Sequence, residues 1–246
     1  MGQISLRLEL PSRFLERRPE AVLLLPERAG EAKKALILLH GATEGPEAIL
    51  DNCPVERLTE ELGLAVLLPA LDNSFGLDWG EGLDYRSWLL LELLPKVREL
   101  CPAFGVRERC ALGGISMGGF AALSIALSHP GDFGGVFSVS GALNPKRSSQ
   151  FCRIGQITVP PGFSAFPSRP EAQLPAILEA VPQSDRMPLF LAWGEEDWFS
   201  RDNESFAEKA AALGYPIRTE HGPGLHDWSY WRQTLPRALR WASGET

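Results

Sequence analysis

Cys110-Ala111-Leu112-Gly113-Gly114-Ile115-Ser116-Met117-Gly118-Gly119-Phe120-Ala121-Ala122-Leu123 runs from an apolar stretch into a series of small, helix-compatible residues through Gly-Ile-Ser-Met-Gly. Glycines on both flanks let the chain pass close to itself in a strained conformation. A serine between them can therefore stand on a sharp strand-to-helix turn, its hydroxyl exposed at the strand's carboxyl end. The pentapeptide alone is weak evidence. The apolar strand before it and the helix after it supply the context it needs, and Ser116 is the first candidate functional residue.

Working outward, Ile4, Leu6, Leu8 and Leu10 alternate with polar residues, the period of a strand with one buried face, and Pro11 ends it. Ala21–Leu25 reads as its antiparallel neighbour. Ala35–Leu39 and Leu64–Pro69 are apolar on both faces, as central parallel strands covered by helices must be, with Val55–Leu62 helical between them. Asp84 is expected to cap a helix Tyr85–Leu100 that Pro95 should bend. Gly135–Gly141 and Pro188–Trp193 are further strands; helix 205–213, strand 216–220 and helix 228–241 complete a β-α-β alternation. Between them, 142–187 loses periodicity apart from a helical piece at Leu174–Ala180. It reads as an inserted cap in a single domain spanning 1–246.

A net charge of −7 over 246 residues provides no basic footprint, so nucleic acid is not an expected partner. No apolar run approaches a membrane-spanning length and the start, Met1-Gly2-Gln3-Ile4, has no leader pattern, so a cytoplasmic location without membrane contact is expected. Cys53, Cys101, Cys110 and Cys152 follow no metal or disulfide spacing and read as free thiols. No H-E-x-x-H, dinucleotide or P-loop motif is present, and the expected cofactor and metal complement is none.

A serine hydroxyl is a poor nucleophile near neutral pH and needs a base, itself oriented by a third group. Of the four histidines, His40 follows a strand, His129 closes the helix after Ser116, and His221 and His226 flank Gly222–Leu225. The chain order serine, acid, histidine favours His226, on the loop beyond the last strand. His221, at the strand's end, is the competitor. The acid should follow the strand ending at Trp193, where Glu195, Glu196, Asp197 and Asp202 are available and Asp197 is best spaced. The oxyanion donors should be the backbone N–H of Met117, next to the nucleophile, and that of Ala42 in the turn His40–Pro46, leaving His40 a structural part.

Leu39-His40-Gly41, Glu92–Val97, Gly113–Gly119, Ser138–Leu143, Gly194–Asp197 and His226-Asp227-Trp228 together resemble the esterase D family of α/β-hydrolases, most closely its tributyrin-esterase type. The resemblance runs from about Ala35 to the C-terminus. It implies an α/β-hydrolase fold, a mostly parallel sheet with helices on both faces, with Ser116 as nucleophile, His226 as base, Asp197 as acid, and Ala42 and Met117 as oxyanion donors. The family includes short-chain carboxylesterases, S-formylglutathione hydrolases, feruloyl esterase modules and mycolyltransferases.

The expected activity is hydrolysis of short or small aromatic acyl esters through an acyl-enzyme, with a small-molecule ester as partner and the oligomeric state open. A thioesterase or acyltransferase on the same fold is the alternative, and a non-catalytic binding protein on a hydrolase scaffold the remote one. Trp79, Trp198, Phe199 and Trp228 are candidate pocket walls, each equally suited to core packing.

Overall fold

Strands that are apolar at every position need cover on both faces, and the two faces here feed two cores. The computed structural model describes residues 4–27 and 32–245; Met1–Gln3, part of the start considered above, lie outside them. Its strands are β1 (Ile4–Glu9), β2 (Glu20–Leu25), β3 (Lys34–Leu39), β4 (Leu64–Pro69), β5 (Cys110–Ile115), β6 (Gly135–Val139), β7 (Leu189–Gly194) and β8 (Ile217–Gly222). They form one sheet in the order β1-β2-β4-β3-β5-β6-β7-β8. β2 pairs antiparallel with β1 and β4, and the remaining pairs are parallel.

Period-two alternation sorts the central strands between the cores. Ala35, Ile37, Leu39, Ala65 and Leu67 face one; Leu36, Leu38, Val66 and Leu68 face the other. The second core is closed by Val55, Leu58 and Leu62 of α2 (Val55–Leu62) and by Trp231, Leu235 and Leu239 of α9 (Trp228–Ser243). The first is closed by α5 (Met117–Ser128) and α8 (Ser200–Ala212). Each fully buried Leu or Phe contributes about 1.5–3 kcal/mol relative to exposure.

From Met117 to Leu127, α5 is buried all round. An all-apolar helix has to be covered on its second side as well. Segment 142–187 does this: Phe166, Ala172, Leu174 and Leu178 join the same core as Phe120 and Leu123. This segment has more helix than its composition suggested. α7 (Leu174–Ala180) falls where expected, but α6 (Pro145–Ile154) was not foreseen. Its signal was present, since Pro145 occupies the first turn and the Asn144 carboxamide accepts from the Lys146 and Arg147 N–H groups.

Other departures have local causes. α8 starts at Ser200, not 205, because buried Asn203 is drawn into helix by a two-way bond with the Gly141 backbone (Gly141 N–H to Oδ1 3.2 Å; Nδ2–H to Gly141 O 2.8 Å). Ahead of Pro95 the expected bend takes the form of a π-helical turn, Leu89–Leu93, between α3 (Tyr85–Trp88) and α4 (Leu94–Leu100). Asp84 occupies the cap position without capping. Its carboxylate closes the preceding loop on the Gly80 N–H (2.6 Å), and Asp78 accepts from the Ser87 N–H instead (2.9 Å).

The chain leaves β3 toward β4 on one side and returns to β5 on the other, so a crevice opens beyond the carboxyl ends of β3 and β5. Backbone meets backbone there. A Cβ on Gly114 would lie 2.4 Å from the Gly118 carbonyl carbon, and one on Gly118 would lie 2.3 Å from the Leu39 carbonyl oxygen. Neither contact can relax by rotating a side chain. Gly118→Ala is expected to lose about 1–3 kcal/mol or more, read as a lower urea midpoint, because β3 and α5 must separate; an unchanged midpoint would show that this crossing is loose.

Candidate active site

The turn after β5 sets Ser116 at φ 54°, ψ −113°, a conformation that L residues rarely adopt. Three backbone bonds hold it there. Its N–H donates to Val139 O (2.9 Å), and its carbonyl accepts from Phe120 N–H (3.1 Å) and Ala142 N–H (3.0 Å). The hydroxyl is thereby turned into the crevice, with Ser116 itself 8% exposed.

The loop between β8 and α9 brings His226 to it. His226 Nε2 lies 2.8 Å from Ser116 Oγ, and Nδ1 lies 2.9 Å from each carboxylate oxygen of Asp197. A proton on Nδ1 satisfies the carboxylate and leaves Nε2 as acceptor for the serine O–H. Asp197 is fixed in turn, its Oδ1 accepting from the Phe199 N–H at 2.8 Å. Chemically this is a hydroxyl, an imidazole able to take its proton, and a buried carboxylate able to stabilise the imidazolium that results.

The competing residues are occupied elsewhere. His221 lies within β8, stacked on Trp193 and 3.2 Å from Glu195. Glu196 accepts from the Gly224 N–H (2.6 Å) and so shapes the histidine loop, while Asp202 pairs with Arg147 (3.0 Å). His129 bonds the Ile125 carbonyl at the end of α5.

The turn after β3 comes alongside: a Cβ on Gly41 would sit 3.8 Å from the Ser116 Cβ. Neither the Ala42 nor the Met117 N–H has a protein acceptor among the described residues, so both are free to meet an oxyanion. His40 shapes that turn. The Leu71 N–H can only donate, so Nε2 (2.8 Å) is the bare nitrogen, and Nδ1–H donates to Gly41 O (2.8 Å). Burial lowers the His40 pKa, favouring the neutral ring that these two bonds require.

A cleft of about 310 Å³ opens over Ser116, lined by the turn residues 41–44, by Phe151, Ile157 and Trp198, and by 226–228 with Trp231. Of the four aromatic candidates, Trp198 and Trp228 line it. Trp79 and Phe199 do not, which corrects that expectation. Trp79 packs against Phe163 and Phe166 and donates to Ser74 O, while Phe199 is buried with its edge toward the His226 ring at 5.1 Å. Glu44 was missed. It accepts from Trp228 Nε1–H (2.7 Å), and burial raises its carboxyl pKa. Nothing in the sequence joined residues 44 and 228. Trp231 was missed too, though its place one helical turn beyond Trp228 was a readable signal.

Among the described residues no three His, Cys, Asp or Glu side chains gather as a metal would require, and no helix is long and apolar enough to cross a membrane.

Residues 12–242 match the model of the "Putative esterase" family. An acetyl esterase of Caldicellulosiruptor saccharolyticus is 24% identical over an alignment of 264 positions covering 97% of each chain. In structure, the chain is similar to the S-formylglutathione hydrolase FrmB of Staphylococcus aureus (TM-score 0.84, 24% identity, 99% of this chain and 100% of that one). It is also similar to a ferulic acid esterase (TM-score 0.80, 20% identity, all of both chains).

Because folded His40 resists protonation, the unfolded chain takes up the proton first as pH falls below about 6.5, and stability drops with it. Urea unfolding between pH 7.5 and 5 should therefore show a shallower acid loss in His40→Gln than in the parent, by up to about 1.4 kcal/mol per pH unit. Equal slopes would mean that His40 takes no part.

Proposed function

Because the chain belongs to the Putative esterase family of α/β-hydrolases, of the esterase D type, and is a carboxylic ester hydrolase of the serine class, we propose that it hydrolyses short acyl esters with Ser116 as nucleophile, His226 as base and Asp197 as the acid that orients it. The observation that carries this reading is the unbroken contact chain from Ser116 Oγ to His226 Nε2 at 2.8 Å and from His226 Nδ1 to Asp197 at 2.9 Å.

In the first step Ser116 Oγ bonds to the acyl carbon as its proton passes to His226 Nε2. The carbonyl oxygen becomes an oxyanion between the Ala42 and Met117 N–H groups, and the imidazolium is balanced by Asp197. As the tetrahedral adduct collapses, the bond from carbon to alcohol oxygen breaks and the alcohol leaves with the proton held by His226. Water then attacks the acyl-serine along the same path, His226 taking its proton, and the free acid departs as that proton returns to Ser116.

Two observations favour a short acyl group: the cleft is small, and the Caldicellulosiruptor relative is an acetyl esterase. We further read the chain as one domain with 142–187 as a cap. Among the described residues its buried Phe166, Leu174 and Leu178 belong to the core they share with α5.

Hydrolysis of p-nitrophenyl acetate should fall on the order of 10³-fold or more in Ser116→Ala and in His226→Ala, with His221→Ala close to the parent. Full activity in Ser116→Ala, or loss in His221→Ala with His226→Ala spared, would reassign these roles. Comparing p-nitrophenyl acetate, butyrate and octanoate tests the acyl preference, with kcat/KM expected to decline toward octanoate; a rise would contradict it. S-Formylglutathione in the same assay, expected to turn over more slowly than the acetate, tests the thioester alternative.

A further inference from the structure

We infer, resting on the ester-hydrolase reading above, that the alcohol side of this cleft is built for a cationic group of the peralkylated ammonium type, so that esters of amino alcohols are preferred over their uncharged counterparts.

The side is fixed by the chemistry. His226 must hand its proton to the leaving oxygen, so the rest of the alcohol lies against whatever surrounds that imidazole. What surrounds it is aromatic. Trp198 stacks on the ring with centroids 5.8 Å apart, Trp231 meets it edge-to-face at 5.0 Å, Trp228 lies 5.3 Å from Trp231, and Phe151 lies 5.0 Å from Trp198. Trp198 is 57% exposed, so its ring is available at the mouth. Indole and phenyl faces attract cations, tryptophan most strongly.

The charges point the same way. The titratable groups lining the cleft are Glu44, His226 and Asp227, and no Lys or Arg lines it among the described residues. Asp227 is held below the usual carboxylate range by the Ser229 hydroxyl and is therefore charged, with one oxygen used in capping α9. Glu44 is half-buried and forms no ion pair among the described residues. Oε1 has the Trp228 N–H, and Oε2 is enclosed beside the Gly41 backbone, with no side-chain or cationic partner among the described residues. The cations of nearby α6 do not supply the missing charge. Arg147 is committed to Asp202 and to the Trp198 carbonyl, and Lys146 and Arg153 line a neighbouring groove that shares only Ile157 with this one.

A carboxylate drawn partly out of water without a counterion is under-compensated. A substrate cation supplies what the protein omits, and a neutral alcohol does not. A peralkylated ammonium suits the site better than a primary one, because its methyl groups pack on the rings and it sheds little water on entering.

The experiment compares kcat/KM for 2-(trimethylammonio)ethyl acetate with that for 3,3-dimethylbutyl acetate, the same shape without the charge. The parent should favour the cationic ester by about tenfold. In E44Q, which retains an acceptor for Trp228 and leaves the aromatic faces and Asp227 in place, the ratio should fall severalfold, and in E99Q, a control for net charge on α4, it should stay as in the parent. A parent ratio near one, or a ratio unaltered in E44Q, overturns the inference while leaving ester hydrolysis standing. Tryptophan fluorescence of Ser116→Ala titrated with tetramethylammonium chloride, against equal sodium chloride, reads the site without catalysis and without change at Glu44. Saturable binding is expected, and its absence overturns the inference. Saturable binding in a protein that cleaves no acetate ester would instead overturn the hydrolase reading and leave the cation site standing.

Discussion

The backbone of Ser116 is the constraint on which the rest of the architecture depends. A serine at φ 54° and ψ −113° costs about 1–3 kcal/mol, and it persists only because its surroundings over-determine it. Its N–H is tied to the end of β6 through Val139, its carbonyl to α5 through Phe120 and to the start of segment 142–187 through Ala142. Gly114 and Gly118 let β3, β5 and α5 approach closely enough for those bonds to close. The strained turn thus gathers the sheet, the helix behind it and the covering segment at one point, and that is where the side chain of Ser116 emerges.

The acidic loop after β7 shows how a fold discriminates among similar groups. Glu195, Glu196 and Asp197 are consecutive, yet Glu195 reaches His221 at the sheet edge, Glu196 binds the backbone of the loop that carries His226, and only Asp197, buried and held by the Phe199 N–H, faces the imidazole. Two of the three acids build the support for the third. The same division holds for histidine: His40 is bonded to Gly41 and Leu71 and shapes the turn after β3, while His226 lies against Ser116 Oγ.

Much of this was legible in the sequence because the relevant signals are local. Strands β3 to β7 are nearly continuous apolar runs, and Gly-x-Ser-x-Gly between strand and helix fixes its own turn. The order serine, acid, histidine pointed to residues that the fold brings within hydrogen-bond distance. What escaped depends on contacts between distant segments. Glu44 matters because Trp228 arrives from 184 residues away. Trp79 is an aromatic near the active edge by sequence, yet its ring turns inward onto Phe163 and Phe166. α8 begins early because Asn203 finds Gly141. α6 is the exception, a helix with both an Asn cap and a first-turn proline, hidden by the irregular composition around it.

Segment 142–187 covers the outer side of α5 and also sends Phe151 and Ile157 to the wall of the serine cleft, so one stretch of chain both buries the helix and shapes the cleft. The central claim remains the activated hydroxyl at Ser116. Its most direct test is mass spectrometry after brief exposure to a fluorophosphonate, which reacts readily with a serine whose proton a neighbouring base can take as the oxygen attacks. The account predicts a single adduct on the peptide bearing Ser116 and strong slowing of its formation in His226→Ala. An unlabelled protein, or an adduct on another residue, would contradict it.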